Sequence, residues 1–198
     1  MPGSLARRTL RPAMAGTSLP MEVDDLTVEW CSRALGCEVT AVDVVDRHSG
    51  TTGRARLALE GDGVPASVFV KLPPFDAAQR AFVDTVGMGI TEARFYRDLA
   101  AEIPARVPGV WFADYENAVG GDRYVMVLED LAAGGCRFPS PTDRDIEHRA
   151  YDIVEQLAPI HARYWDSPRF REGADLAWIA PKGTGRGDGG ADLVRIAL

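Results

Sequence analysis

Ser67-Val68-Phe69-Val70-Lys71-Leu72 is the stretch on which the fold turns. Val68, Phe69 and Val70 are strand formers, and a charged residue follows them directly. The chain holds only two lysines among its 22 basic residues, so arginine supplies nearly all the positive charge elsewhere. A buried ammonium is costly unless it is paired. Lysine is a compact point charge on a flexible stem, suited to reaching a phosphate. The same pattern also fits an edge-strand lysine that snorkels to water. The segments on either side separate these two uses.

Upstream, Leu26, Trp30 and Ala34 recur every fourth residue and Gly36 follows them. This spacing predicts a short amphipathic helix with a glycine stop, its start marked by Asp24, Asp25 or Thr27. Residues 38–47 are rich in β-branched side chains and predict a strand. His48-Ser49-Gly50-Thr51-Thr52-Gly53 is a turn-rich loop. Arg54–Glu60 predicts a second strand, with Leu57 and Leu59 on one face. Gly61-Asp62-Gly63 then closes a hairpin onto the Lys71 strand. The opening is therefore a helix followed by three consecutive antiparallel strands.

Downstream, Pro73 and Pro74 end the third strand. Asp76–Val86 predicts a helix, broken at Gly87-Met88-Gly89. A stronger helix runs from Thr91 to Glu102, with Phe95, Leu99 and Ile103 as its apolar stripe. Glu92 lies on that stripe. An acid facing a core needs a partner; Lys71 is the only lysine near enough in sequence to be a natural candidate, and several arginines compete with it. Val107–Tyr115 predicts a strand, and Gly120-Gly121-Asp122 a turn. Tyr124–Leu128 is continuously apolar, as expected of a strand buried on both faces. Ala132–Pro141 holds two glycines and two prolines and predicts a linker. The longest helix covers 143–165, with Thr142 and Asp145 as a capping box. Ile146, Ala150, Ile153, Leu157, Ile160 and Tyr164 form its core-facing seam. Pro159 inside it predicts a kink or an early stop.

Composition excludes several functions. A net charge of −7 and the lack of a basic stripe argue against nucleic-acid binding. No apolar run approaches the roughly 18 residues needed to span a membrane. Cys31, Cys37 and Cys136 are odd in number and widely spaced, and His48, His148 and His161 are scattered. Neither a disulfide framework nor a metal centre is indicated, which fits a cytoplasmic chain. The first twenty residues carry Arg7, Arg8 and Arg11 without an acid or a signal-type apolar core. They are expected to be a disordered tail or a start assigned too early. Gly185, Gly187 and Gly190 spell GxGxxG without a preceding strand, which carries no weight.

Several segments carry a resemblance when taken in order. They are Ser49-Gly50-Thr51-Thr52-Gly53, Val68-Phe69-Val70-Lys71, Thr91-Glu92-Ala93-Arg94-Phe95-Tyr96, Val127-Leu128-Glu129-Asp130-Leu131, and 157–165. From about residue 22 to 170 the chain resembles the aminoglycoside phosphotransferase family, in its choline-kinase-like and ecdysteroid-kinase-like branch. The resemblance implies an α+β, protein-kinase-like N-lobe over 21–131. That lobe would have a five-stranded antiparallel sheet and a lysine-pairing helix. A hinge or linker at 132–141 and the start of an incomplete helical C-lobe at 142–198 would follow. It implies ATP as ligand. Ser49, Gly50, Thr51, Thr52 and Gly53 would cover its phosphates. Lys71 would neutralise them and Glu92 would hold Lys71. Backbone groups at Glu129 and Leu131 would meet the adenine.

The family's catalytic loop carries His-Gly-Asp, with an Asn about five residues after the Asp. None of the three histidines here precedes Gly-Asp. No catalytic or metal-binding residue is therefore assigned. Mg2+ and a small-molecule hydroxyl acceptor are expected only of a full-length form, and the 198 residues alone are expected to be inactive. The helix seam at 146–164 would then lack its covering helices and stand exposed. Two alternatives remain: a non-catalytic nucleotide-binding or regulatory module, and an unrelated α+β protein with a structural Lys–Glu pair.

Overall fold

The computed structural model describes residues 18–118 and 121–179. The arginine-bearing start, Gly120 and the glycine run at 183–190 fall outside them. The described residues fall into two compact units, 18–101 with 108–135, and 102–107 with 136–179.

The first unit is α+β. Helix α1 spans Val28–Leu35; Thr27 Oγ1 accepts from the Trp30 N–H at 3.2 Å, and left-handed Gly36 ends the helix. Five strands follow among the described residues: β1 (Ala41–Ser49), β2 (Gly53–Glu60), β3 (Ser67–Leu72), β4 (Val110–Ala118) and β5 (Gly121–Glu129). They form one antiparallel sheet in the order β1-β2-β3-β5-β4. The first strand begins later than the β-branched run suggested, although the Thr40 N–H still bonds the Glu60 carbonyl at 2.8 Å. Exposed β1 is an edge strand, and Asp43, Asp46 and Arg47 guard it against pairing with another chain.

Alternation on β2 and β3 decides where the core sits. Leu57, Val68, Val70 and Leu72 are at most 1 % exposed and face one side. They pack with Trp30, Cys31, Ala34 and Leu35 of α1. Trp30 meets Phe112 of β4 edge-on, with ring centroids 5.8 Å apart. Burial pushes the Cys31 thiol up to about 11. Helix α2 (Ala77–Val86) starts at Asp76, whose carboxylate accepts from the Gln79 N–H at 2.9 Å. Helix α3 spans Met88–Arg94 and passes directly into a π-turn at Phe95–Leu99. It covers the second face of the sheet only over β4 and β5, through Ala93, Ala113, Tyr124, Met126 and Leu128. Strand β5 is thus buried on both faces from Tyr124 to Leu128, as its unbroken apolar run predicts.

The apolar stripe of α3 differs from the sequence expectation. Gly89, Ala93, Leu99 and Ala100 are buried, while Phe95 and Ile103 are only half-buried. In the π-turn the Ala100 N–H reaches back five residues to the Phe95 carbonyl. That extra residue shifts the helix register. Gly89, read as part of a helix break, lies inside the helix. A Cβ there would stand 1.9 Å from Cε1 of Tyr124, so only glycine lets α3 approach β5 this closely.

In the second unit, α4 spans Ile146–Tyr164 and runs through Pro159 without stopping. The capping box is not formed. Asp145 makes no cap hydrogen bond, because its carboxylate takes Arg149 Nε at 2.9 Å, while the Thr142 hydroxyl pairs with Ser140. No α4 residue is buried, and Ile153, Val154 and Leu157 are 55 %, 61 % and 41 % exposed. Beyond α4, Glu102 accepts from Tyr164 Oη at 3.0 Å and Arg169 Nη1 at 2.7 Å. Partial burial pushes Glu102 up, but those two bonds outweigh it and hold its carboxyl below the ordinary value. No helix among the described residues is long and apolar enough to cross a membrane.

Candidate functional site

Because β3 alternates, Ser67, Phe69 and Lys71 project from the face opposite to Val68, Val70 and Leu72. Helix α3 covers β4 and β5 there but leaves β1, β2 and β3 open, and Lys71 stands at the border. Its Nζ donates to Glu92 Oε1. The two side chains are 18 % and 33 % exposed, so the pair lies half in water. At that exposure an ion pair contributes only on the order of 1 kcal/mol. Its weight is in position, since it fixes where the ammonium points. Tyr96 and Tyr124 flank the pair, and burial, then the Glu92 charge for Tyr96 and the Asp84 and Glu92 charges for Tyr124, pushes both phenols up.

Farther along, Arg97 ties the same helical segment to β4. It donates to Asp114 Oδ1 at 3.0 Å and Tyr115 Oη at 2.7 Å, and its guanidinium lies 4.0 Å from the Tyr115 ring centre.

The 49–53 loop is folded onto the segment after β3. Ser49 Oγ accepts from the Phe75 N–H at 3.0 Å. A Cβ at Gly53 would stand 2.4 Å from the Phe75 ring and 2.5 Å from the Pro73 carbonyl oxygen. Gly53 therefore serves close packing, and Thr52 is buried beside it. The Gly50 N–H is turned inward to the Thr52 carbonyl at 3.1 Å. Of the five residues, Thr51 is exposed and Ser49 and Gly50 are half-buried.

At the end of β5, Glu129 exchanges two bonds with Gly109, through its backbone N–H and through Oε2, both at 2.8 Å. Asp130 is 6 % exposed and anchors the turn that follows. Its carboxylate accepts from Ser67 Oγ at 3.0 Å and from the Ala132 and Ala133 N–H groups at 3.1 and 3.3 Å, and it forms an ion pair with Arg56, whose Nε lies 3.0 Å from Oδ2. Half-buried Leu131 begins that turn.

Sequence reasoning missed Arg54, Arg56, Phe69 and Asp130. Pairing across the sheet sets Arg54 opposite Lys71, and Arg56 opposite Phe69. With Asp46 and His48, three of the four line a cavity of about 120 Å³ on the open face. A larger cavity, about 240 Å³, lies between Glu22, Asp24, Arg47 and Phe75, and neither cavity is lined by Lys71 or Glu92. Among the described residues no group of three His, Cys, Asp or Glu is placed to hold a metal.

The open face thus combines a fixed ammonium, two guanidinium groups, one of them paired with Asp130, a half-buried phenyl ring and the edge of the 49–53 loop. That donor set suits an anion joined to a flat, apolar body. Compared with known proteins, the chain matches no family model, no curated protein and no solved structure.

Proposed function

We propose that the first unit is the nucleotide-binding lobe of a kinase-like phosphotransferase that acts on a hydroxyl of a small molecule, and that it binds ATP on the face bearing Lys71. The observation that carries this is the Lys71–Glu92 pair, which joins β3 to α3 above a five-stranded antiparallel sheet. An ammonium fixed by a helical carboxylate is the arrangement by which protein kinases hold a nucleotide's phosphates. Bound ATP would supply the phosphoryl group that the reaction moves to an alcohol oxygen. The chain's own part is to bind and orient. Lys71 neutralises phosphate charge, and Glu92 holds Lys71 against that face. Gly50 and Thr51 form the edge nearest the phosphates, and the backbone of Glu129 and Leu131 lies toward the base. No histidine precedes Gly-Asp, so binding, not transfer, is assigned to these residues.

Thermal unfolding of the full chain with and without ATP tests this. At about a hundredfold excess over the dissociation constant, ATP should add roughly 2.7 kcal/mol of stability. Lys71→Met should abolish that protection while still folding, since the lost ion pair is worth little. Equal protection of Lys71→Met, or none of the wild type, refutes the proposal.

A further inference from the structure

The strand register places three basic side chains in one row across the open face. His48 of β1 pairs with Arg54 of β2, and Arg54 pairs with Lys71 of β3. Directly opposed residues in an antiparallel ladder point the same way, and like charges so placed repel. Two of the cations in and beside this row have a counter-charge. Lys71 has Glu92, and Arg56, one pair along, has Asp130. Arg54 has no carboxylate within 4.0 Å among the described residues, although Asp46 lines the same cavity. Its Nε is buried and without a hydrogen-bond partner among them. A Cβ built at Gly50 would stand 3.3 Å from Arg54 Nη2, so the guanidinium lies against the loop edge.

A buried, unpartnered guanidinium donor beside a glycine and opposite a fixed ammonium is poorly placed in the bare protein and well placed around an anion. Strands lie about 4.8 Å apart, so the row from His48 to Lys71 spans roughly 10 Å. That is too long for one phosphate and suits a chain of two or three. We propose that Arg54 is a second phosphate-binding residue, which makes the site selective for nucleoside di- and triphosphates over monophosphates. The inference rests on the nucleotide-binding function proposed above. Lys71 takes the phosphate nearest the ribose, and Arg54 takes the distal ones under the loop edge.

Titration calorimetry of the full chain with ATP, ADP and AMP tests it, on wild type, Lys71→Met, Arg54→Met and Arg54→Lys. In wild type, ATP and ADP should bind on the order of tenfold more tightly than AMP. Arg54→Met should remove that difference, weakening ATP and ADP about tenfold and leaving AMP unchanged. Arg54→Lys should restore part of it, because the charge returns without the fork of donors. The nucleotide-free melting temperature of Arg54→Met should not fall, since a like-charge neighbour of Lys71 is gone. If Arg54→Met does not fold, Arg54→Gln is measured in its place.

If Lys71→Met loses ATP while Arg54→Met binds it like wild type, the inference is overturned and the nucleotide site stands. Equal weakening of ATP and AMP in Arg54→Met also overturns it. If wild type binds no nucleotide, the proposed function fails and this inference with it.

Discussion

Gly89→Ala should cost the first unit roughly 2–3 kcal/mol, the range for forcing an extra carbon into a filled core. Helix propensity alone points the other way, since alanine inside a helix is favoured over glycine by about 1 kcal/mol. The clash outweighs it because neither partner can yield. The added Cβ would lie 1.9, 2.1 and 2.6 Å from Cε1, Cζ and Cδ1 of Tyr124. Tyr124 is wholly buried on β5, among Ala93, Ala113, Met126 and Leu128. Helix α3 cannot lift away without stretching the Lys71–Glu92 pair at one end and the Arg97 bonds to β4 at the other. Urea denaturation gives the number, and a midpoint at or above that of wild type sinks the account. Tyr124→Leu combined with Gly89→Ala should recover part of the loss, because the two residues share one space. On the nucleotide-binding function proposed above, Gly89→Ala should also weaken ATP protection in the surviving folded fraction, since a shifted α3 moves Glu92.

Asp130→Ala should cost about 3 kcal/mol. Removing one partner of a buried ion pair costs roughly 3–5 kcal/mol, because the other charge is left without compensation. The low end applies here, as Arg56 keeps 34 % of its side chain in water. Two backbone N–H groups and the Ser67 hydroxyl lose their acceptor as well. Asp130→Asn keeps the shape and one acceptor and should cost less. The cycle with Arg56→Met separates the ion pair from the turn, since Asp130→Ala should be milder when Arg56 is already gone. A loss under 0.5 kcal/mol for Asp130→Ala, the size of an ordinary surface change, would show that the turn does not depend on its carboxylate.

Much of the first unit was legible in the sequence because its pattern has one physical origin. Val68, Val70 and Leu72 alternate with residues that face out, and Tyr124–Leu128 is apolar throughout because helices cover both its faces. The Lys71–Glu92 pair was legible for a similar reason, as each charge interrupts an apolar pattern and needs the other. Gly89 was misread, because a glycine that breaks a helix and one that lets it pack closely look alike in one dimension. The stripe of α3 was misplaced because nothing in Phe95–Leu99 announces a π-turn. Arg54 and Arg56 were written in plain alternation with Ala55 and Leu57. Their meaning lies in the register that brings Arg54 beside Lys71, which a single strand does not reveal.

The widened turn at Phe95–Leu99 also holds one residue in reserve. Glu92 moors the helix to β3, and Arg97 moors it to β4. In the turn between and beyond these moorings, the backbone carries one residue more than an α-helix needs. Half-exposed Phe95 and exposed Asp98 leave the composition of the turn loosely constrained. Losing one residue should cost it little as well. A deletion draws the turn back to α geometry, and because the extra residue is taken up inside the turn, Leu99 and Ala100 keep their places on the sheet. A further residue has no such outlet and rotates all that follows by about 100°. A one-residue insertion after Phe95 should therefore lower the melting temperature more than deletion of Phe95 or Asp98. The segment can spare a letter but has no room for another.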